Sequence, residues 1–567
     1  MAATGTVDTG AQYGDLAALK VQAMTAGPVA ASDYLIVLPV VICLLFGAGL
    51  LMMRKRTKRQ PWIAIPGLVL LFAVDLALLV KVANDGTQTM MMGGWKPPFG
   101  IAFTVDLMGA LFVTVTGFVA LACGIYAVAS ISSTERRYGF YPFLFLMIGG
   151  VSGAFLTGDV FNLYVWLEVL LIGSFGLLIL GSEHEQLDGA TKYCFLNLVG
   201  TTLFLITTAY LYGVFGTLNM ADIAVKAGEM QGDSAVYVIA VMYLVAFSLK
   251  AAAFPLNAWL PASYHTPRFV VSALFAGLLT KVGVYGIIRV LMMLFPPEHQ
   301  ALAPLIAWIA GLTMLLGALG ALAQTDLRRL LNYMVVAGIG TILAGLAIPQ
   351  VASVMVAQAD GEATVAAAAT MASATQTGLS GAIYYALHSI VVMTALYLAA
   401  GVAAQLNGSS SLAEMGGLWR RYPMLAALML VFLFGVSGLP PFSGFWPKVA
   451  LVRATIVADL PWLAATILFS GFLLTIASAR VFALAFWRPL PAMAAVGNAS
   501  DAREIERKRF QAPGPDKPLS LIPLLALAGF VVAAGIWPEW LARLTDAAAA
   551  GVLDPATYLQ SVFGGVS

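Results

Sequence analysis

Five side chains that can hold a proton stand where the sequence is otherwise oil. Glu168 lies in Asn162-Leu-Tyr-Val-Trp-Leu-Glu168-Val-Leu-Leu-Ile-Gly173, too deep in an apolar run for a short carboxylate to reach water. Lys281 is midway along Ser272-Ala-Leu-Phe-Ala-Gly-Leu-Leu-Thr-Lys281-Val-Gly-Val-Tyr-Gly286. Lys250 and Lys448 each neighbour a proline break, the first at Pro255 and the second at Pro440, Pro441 and Pro447. His388, in Tyr384-Tyr-Ala-Leu-His388-Ser-Ile-Val, is the histidine set well inside such a run. A charge at the centre of a membrane helix costs about 2.5–3.5 kcal/mol on insertion scales, so each of these needs a reason. A buried lysine suits a proton path, because desolvation and a mobile carboxylate pull its proton affinity in opposite directions and moving the partner switches its occupancy. One acid followed by several lysines therefore reads as a relay, with His388 able to bridge a gap in it.

The elements that must position these groups are membrane spans. Hydrophobic residues make up 60% of the 567-residue chain and charged residues only 10%, with a mean hydropathy of +0.89, against roughly 45–50% and 25% in soluble proteins. Too few charges remain to coat a globule, which excludes disorder, nucleic-acid binding and a secreted disulfide scaffold. The expected class is all-α and polytopic. Apolar stretches long enough to cross a ~30 Å hydrocarbon core number fourteen: 33–53, 62–83, 103–131, 140–157, 161–181, 193–215, 236–256, 268–293, 301–323, 329–349, 378–402, 422–456, 461–487 and 518–539. The twelfth is too long for one straight helix and is interrupted by Gly438-Leu439-Pro440-Pro441, so it reads as two half-helices. No basic segment followed by an apolar stretch and a cleavage site opens the chain, so a removable signal peptide is not expected.

Loop charge tests this reading, since cytoplasmic loops collect Lys and Arg. The odd-numbered loops hold nineteen, among them Arg54 to Arg59, Arg136, Arg137, Arg268, Arg328, Arg329 and the Arg503 to Lys517 group; the even loops and their edges hold four. The odd loops are therefore expected to be cytoplasmic and both termini external. Cys43, Cys123 and Cys194 fall in apolar runs and are expected to be buried small residues rather than metal or redox ligands. Of the other charges within spans, Arg289 and Arg480 lie within about two turns of a helix end and are expected to snorkel to the interface, while Asp75 and Asp106 are expected to be helix-packing hydrogen-bond partners.

An internal duplication fits the same picture. Leu244-Val-Ala-Phe-Ser-Leu-Lys250-Ala-Ala-Ala-Phe-Pro255-Leu-Asn-Ala-Trp-Leu-Pro261 resembles Leu433-Phe-Gly-Val-Ser-Gly-Leu-Pro-Pro441-Phe-Ser-Gly-Phe-Trp-Pro447-Lys448, each an apolar run broken at mid-depth by proline. Corresponding interrupted segments in two halves point to an ion site in transporters with inverted repeats, and an offset of five helices places the copies in opposite orientations.

With these residues in hand, the chain resembles the proton-translocating antenna subunits shared by respiratory complex I and Mrp-type monovalent cation/proton antiporters, and among them the branch of Mrp D subunits. The resemblance covers roughly residues 30–490. It rests on Gly93-Gly-Trp-Lys-Pro-Pro-Phe-Gly-Ile101, Gly158-Asp159-Val-Phe-Asn-Leu-Tyr-Val-Trp-Leu-Glu168, the run from Lys250 to Pro267, Ser272 to Arg289, and Gln324-Thr-Asp-Leu-Arg328-Arg329, the last common to the whole group. It implies two inverted five-helix repeats, helices 4–8 and 9–13, with helices 7 and 12 discontinuous. The expected organisation is an external segment 1–32, helices 1–3 over 33–131, repeats over 140–293 and 301–487, a polar cytoplasmic linker 488–517, and helix 14 with an external tail over 518–567. It also implies roles: Glu168 and Lys250 as a switchable ion pair, Lys281 as central carrier, Lys448 as terminal group, and Asp75, Asp106, Asp159, Arg328 and Arg329 as accessory positions. Where relatives commonly place a second histidine and a lysine on helix 11, this chain has Ser389 and Met393, so His388 or water must carry more of the path. The 350–376 loop, rich in alanine and threonine, has no functional reading.

Two functions compete. One is a component of a multisubunit Na⁺(K⁺)/H⁺ antiporter, assembled with an A-like subunit and small membrane subunits. The other is the pump arm of a complex I-like or hydrogenase-type oxidoreductase. The chain offers no Cys cluster, haem ligand set or phosphate-cradling glycine loop, so no cofactor or metal is expected in it under either reading. A free-standing transporter of an organic solute fits poorly, because the buried charges are mostly lysines on scattered helices.

Overall fold

The computed structural model describes residues 31–230, 232–350, 362–490 and 520–564. Among these residues the chain is a bundle of membrane helices, eleven of them long and apolar enough to cross a bilayer and a twelfth if a bent pair counts as one. In chain order the first helices are α1 (Tyr34–Met52), α2 (Gln60–Asp85), α3 (Leu107–Ser130), the shorter α4 (Phe140–Leu156), α5 (Val160–Leu178), α6 (His184–Phe215), α7 (Ser234–Ala251), α8 (Phe269–Leu294), α9 (Pro296–Ala323), α10 (Leu327–Leu346) and α11 (Glu362–Asn407); all but α4 are among the eleven, and the eleventh begins at Pro461. The twelfth apolar stretch is two shorter pieces, α12 (Pro423–Ser437) and α13 (Phe445–Val457), followed by α14 (Pro461–Phe482), α15 (Leu521–Ile536), α16 (Glu539–Leu553) and α17 (Ala556–Phe563).

Local chemistry sets the ends. Asp106, Asp159 and Asp326 each accept a hydrogen bond from the backbone of the first turn they cap, opening α3, α5 and α10. Ser132 and Glu135 form a reciprocal capping box on the short helix Ser133–Tyr138 between α3 and α4. The two interrupted spans stop at left-handed residues: Ala252 (φ 58°) ends α7 and Gly438 (φ 79°) ends α12. At Ala252 a Cβ-bearing residue is held in a conformation that glycine takes more readily, so the surrounding packing dictates the stop.

The centre of the molecule is α8, buried along its whole length, flanked by the inner stretch of α11 and by α4 and α10. Close approach there needs glycine: a Cβ on Gly150 of α4 would meet the Leu170 backbone nitrogen at 2.4 Å, and one on Gly317 of α9 the Ala337 nitrogen at 2.5 Å. Outer helices turn large apolar residues outward, among them Leu45, Trp62, Phe195, Leu468 and Phe472, as a lipid-facing surface does.

Several expectations are corrected. Residues 103–105 belong to a strand, not to a span: β1 (Gln88–Met91) and β2 (Ala102–Val105) form an antiparallel hairpin between α2 and α3, so the fold is not purely helical. Helix α6 begins at His184, nine residues before the apolar run that signalled it, because an apolar window does not register the polar turns that extend a helix beyond the membrane. Likewise α11 runs for 46 residues, about 69 Å, so residues 362–376 prolong a helix where a loop was expected. Cys194 is exposed on α6 rather than buried, since an apolar run on an outer helix has a face that looks away from the bundle. The expected external tail folds into α16, bent 81° from α15, and α17. The greater part of the 1–32 segment and of the 488–517 linker, and residues 351–361 of the 350–376 stretch, lie outside the described residues.

The tight α4–α5 contact yields a stability test. Gly150→Val forces a side chain into the Leu170 backbone, and overpacking of this kind costs about 1–3 kcal/mol. The expected outcome is a lower melting temperature of the detergent-solubilised protein, read by intrinsic fluorescence, whereas Gly529→Val, with nothing within 4 Å of its Cβ position, leaves it unchanged.

Candidate functional site

Lys281 is wholly buried in α8 between two π-helical stretches, Phe275–Leu279 and Ile288–Leu294. A π turn frees a carbonyl from the ordinary i−4 ladder. Here the Lys281 ammonium donates to the Ala276 carbonyl, five residues back, at 2.7 Å. The backbone irregularity thus gives the amine an oxygen partner inside the bilayer. Gly283 then brings α8 against the end of α7: a Cβ there would meet the Ala251 nitrogen at 2.6 Å and the Lys250 carbonyl carbon at 2.9 Å. The central lysine and the first helix break are therefore in direct backbone apposition.

Lys250 sits in the last turn of α7, 6% exposed, and its Nζ has no hydrogen-bond partner among the described residues. Beside it lies a cavity lined by Leu167, Leu170, Leu171, Tyr193, Asn197, Trp259 and Leu279, with an accessible volume of about 10 Å³. That is the size at which one water molecule fits, given polar partners to hold it. Tyr193 and Asn197 of α6 supply them, the Tyr193 hydroxyl being 3.0 Å from Ser174 Oγ of α5 and the Asn197 amide donating to the Tyr193 carbonyl. Glu168 is placed differently from expectation. It is half-buried on the outer side of α5 and makes no ion pair with Lys250, although its charge acts on that lysine across the gap. Seven residues into the helix is deep along the membrane normal, but depth along one axis says nothing about distance from the bundle's flank.

The second break holds the other two groups. Lys448, in the first turn of α13, folds back so that its ammonium donates to the Ser437 carbonyl at 2.7 Å and lies 3.5 Å from that of Val436. Those are the last carbonyls of α12, the negative end of that half-helix. Gly438 is open for this reason, since a Cβ there would sit 2.9 Å from Lys448 Nζ. His388 of α11 points into the same break. Its Nδ1 lies 2.7 Å from Ser443 Oγ, and its Nε2 has no hydrogen-bond partner among the described residues. His388 thus shares the α12–α13 break with Lys448. Ser389 and Met393, the departures on α11, are both buried.

The remaining positions divide differently from their sequence reading. Arg289 does not snorkel: 1% exposed, its guanidinium donates to both Asp106 carboxylate oxygens at 2.7 and 2.8 Å. Eight residues beyond Lys281 on a helix buried on all sides, its guanidinium meets a carboxylate rather than solvent. Asp75 is fully buried on α2, pressed against Gly117 of α3, and neither carboxylate oxygen has a hydrogen-bond partner among the described residues, where a packing hydrogen bond was expected. Arg480 donates to the Leu322 carbonyl near the C-terminus of α9. Asp159 caps α5 and pairs across to Asn219. Arg328 stacks on Phe269 at 3.9 Å and donates to the His265 and Pro267 carbonyls, pinning the α7–α8 connection, and Arg329 reaches His265. On the same rim, outside the spans, burial works against the Glu135 carboxylate, but its bonds to Ser132 and Arg268 prevail and hold it below the usual carboxylate range. Tyr193, Asn197 and Ser443 were not singled out in the sequence; Ser443 does fall inside the duplicated proline segment, while the two α6 residues carry no signal beyond their polarity.

Buried amines set at helix breaks inside a polytopic bundle define an ion-translocating membrane protein rather than a soluble enzyme. The transmembrane model of the NADH:quinone oxidoreductase/Mrp antiporter family matches residues 157–359 and 363–474, more than half of the chain, and the protein belongs to that family. It is 39% identical to the D subunit of the Na⁺/H⁺ antiporter of Alkalihalophilus pseudofirmus over 70% of this chain and 76% of that one, and 33% identical to the D subunit from Bacillus subtilis over 93% and 99%. The Mrp complex of Dietzia contains a chain of the same fold, with a TM-score of 0.80 at 28% identity over 94% of this chain and 100% of that one. Respiratory complex I of Thermus thermophilus contains another, with a TM-score of 0.70 at 24% identity over 91% and 99%, a likeness of fold.

Filling the Lys250 cavity tests its use. Asn197→Leu removes one polar lining group and the space beside the amine, and it is expected to lower proton-coupled cation exchange in inverted vesicles several-fold while the protein still assembles; unchanged exchange shows that this void carries no proton.

Proposed function

We propose that this chain is the proton-translocating subunit of a multisubunit Na⁺(K⁺)/H⁺ antiporter in a bacterial cell membrane, moving protons along Glu168, Lys250, Lys281, His388 and Lys448. The observation that carries this reading is His388 standing in the α12–α13 break with Lys448, while the oxygen partners of that ammonium and of the Lys281 ammonium among the described residues are backbone carbonyls. Carbonyls stabilise an ammonium but cannot take its proton, so the next acceptor along the path is an imidazole nitrogen or a water. The relay begins on the outer flank of α5, where Glu168 is accessible, crosses to Lys250 through its water-sized cavity, passes to Lys281 along the α7–α8 contact, and reaches Lys448 by way of His388. The 33% and 39% identity to D subunits of Na⁺/H⁺ antiporters supports the antiporter assignment, and the Mrp complex supports other members of that complex as partners.

Fourteen crossings follow if α4, the α12–α13 pair and α15 each count as one, with repeats over helices 4–8 and 9–13 and both termini external. The second reading, a proton-pumping arm of a redox complex, is favoured by the likeness of fold to complex I. In that setting the same relay operates and the redox chemistry lies in other subunits.

Lys281→Ala is expected to abolish proton-coupled Na⁺ or K⁺ exchange in inverted vesicles with the assembly intact on native gels; retained exchange rejects the relay. Purified assembly in liposomes separates the two settings: Na⁺- or K⁺-driven proton movement without an electron donor identifies an antiporter, and its absence points to the redox arm.

A further inference from the structure

A column of polar side chains leads from Lys281 towards the C-terminal end of α8, the external end in the proposed topology. Tyr285 and Arg289 follow Lys281 at successive four-residue steps, on one stripe of the helix. Arg289 stands about 12 Å further along the axis. The Tyr285 hydroxyl donates to the Phe155 carbonyl at 2.9 Å and accepts from Arg289 Nη2 at 2.9 Å. Left open, such a column offers a proton on Lys281 a short way out of the membrane.

It is closed by three layers from three parts of the chain. The rings of Phe112, Phe155 and Tyr285 interlock, with centroids 4.8 to 5.7 Å apart. The Arg289 guanidinium is clamped to both oxygens of Asp106, which also caps α3. Tyr558 of the terminal helix α17 lies over the guanidinium, 5.4 Å from the ring centroid, and is itself 1% exposed. Met293 Sδ, 3.2 Å from Nη1, lies on the remaining side. Desolvating an ion pair this completely contributes little to stability compared with packed apolar residues, so stability alone is a poor reason for it. A fixed guanidinium in line with the column has a second effect: it is always protonated and has no acceptor atom, so it cannot take up a proton and pass it on.

We propose that the Asp106–Arg289 pair, covered by Tyr558, is an external seal that keeps protons on Lys281 from leaking out along α8 and so obliges them to pass on to His388 and Lys448. The aromatic layer removes water, the guanidinium offers a proton no acceptor, and α17 keeps bulk water from reaching the pair. Loss of the seal uncouples the protein without removing a carrier. The inference rests on Lys281 being a proton carrier, and the two ideas fail in different measurements.

The experiment measures passive proton leak in liposomes holding the whole assembly, with an internal pH dye after an imposed pH step, in Na⁺- and K⁺-free choline buffer with thiocyanate as the permeant anion that balances the charge. Arg289→Gln and Tyr558→Ala are expected to raise leak several-fold over the parent, and Tyr558→Phe, which keeps the ring, to leave it unchanged. The double variant Arg289→Gln with Lys281→Ala is expected to be tight again, because the leak draws on the central lysine; a leak from general misfolding survives that second change. A tight Arg289→Gln protein, or a leak indifferent to Lys281→Ala, overturns the seal. Lys281→Ala that retains full exchange overturns the carrier reading instead.

Discussion

An ammonium ion in a hydrocarbon interior needs oxygen partners, and in a membrane helix every carbonyl is already committed to the helix itself. This constraint organises the molecule. The chain meets it by spoiling its own helices: π turns in α8 free the Ala276 carbonyl for Lys281, and the stop at Gly438 frees the carbonyls of Val436 and Ser437 for Lys448. Each break weakens the local backbone ladder and is tolerated because neighbouring helices hold it. The burial of α8 on every side and the glycine contacts of α4 and α9 are the scaffold that holds these irregularities in place.

Lys250 shows the alternative. It stands at the end of α7 as the other lysines stand near freed carbonyls, yet its amine has no protein partner among the described residues and faces a cavity of one-water size. A group satisfied by water is easier to deprotonate and reprotonate than one locked to two carbonyls, because the water can reorient and carry the proton away. The half-buried Glu168 on the neighbouring flank acts on it by charge without contact. The first half of the proposed path therefore has an unpartnered amine beside a water-sized space, and the second half has two amines bonded to backbone carbonyls.

The Asp106–Arg289 pair obeys a different logic. Its charges are matched within the protein and need no freed backbone, and its guanidinium keeps its proton throughout the physiological range. Set on the same helix as the lysine proposed to exchange a proton, it is a matched pair whose guanidinium proton is fixed.

The sequence by itself determined which residues are candidates for the chemistry, because an ionisable group inside an apolar run is conspicuous against a composition with 10% charge. Glu168, Lys250, Lys281, His388 and Lys448 were legible for that reason, and so were the prolines that break spans, since proline acts on its own backbone. What only tertiary structure decided is partnership. Hydropathy measures position along the membrane normal and says nothing about azimuth, so it set Glu168 deep without revealing that it lies on the bundle's flank, and it read Arg289 as near an interface when Asp106, 183 residues away, was within hydrogen-bond reach. The unpartnered carboxylate of Asp75, the water-sized space beside Lys250 and the closing of Tyr558 over Arg289 depend on which helices pack together. A pattern of spans and breaks is a one-dimensional property, whereas the identity of a buried group's neighbour is a property of the assembled bundle.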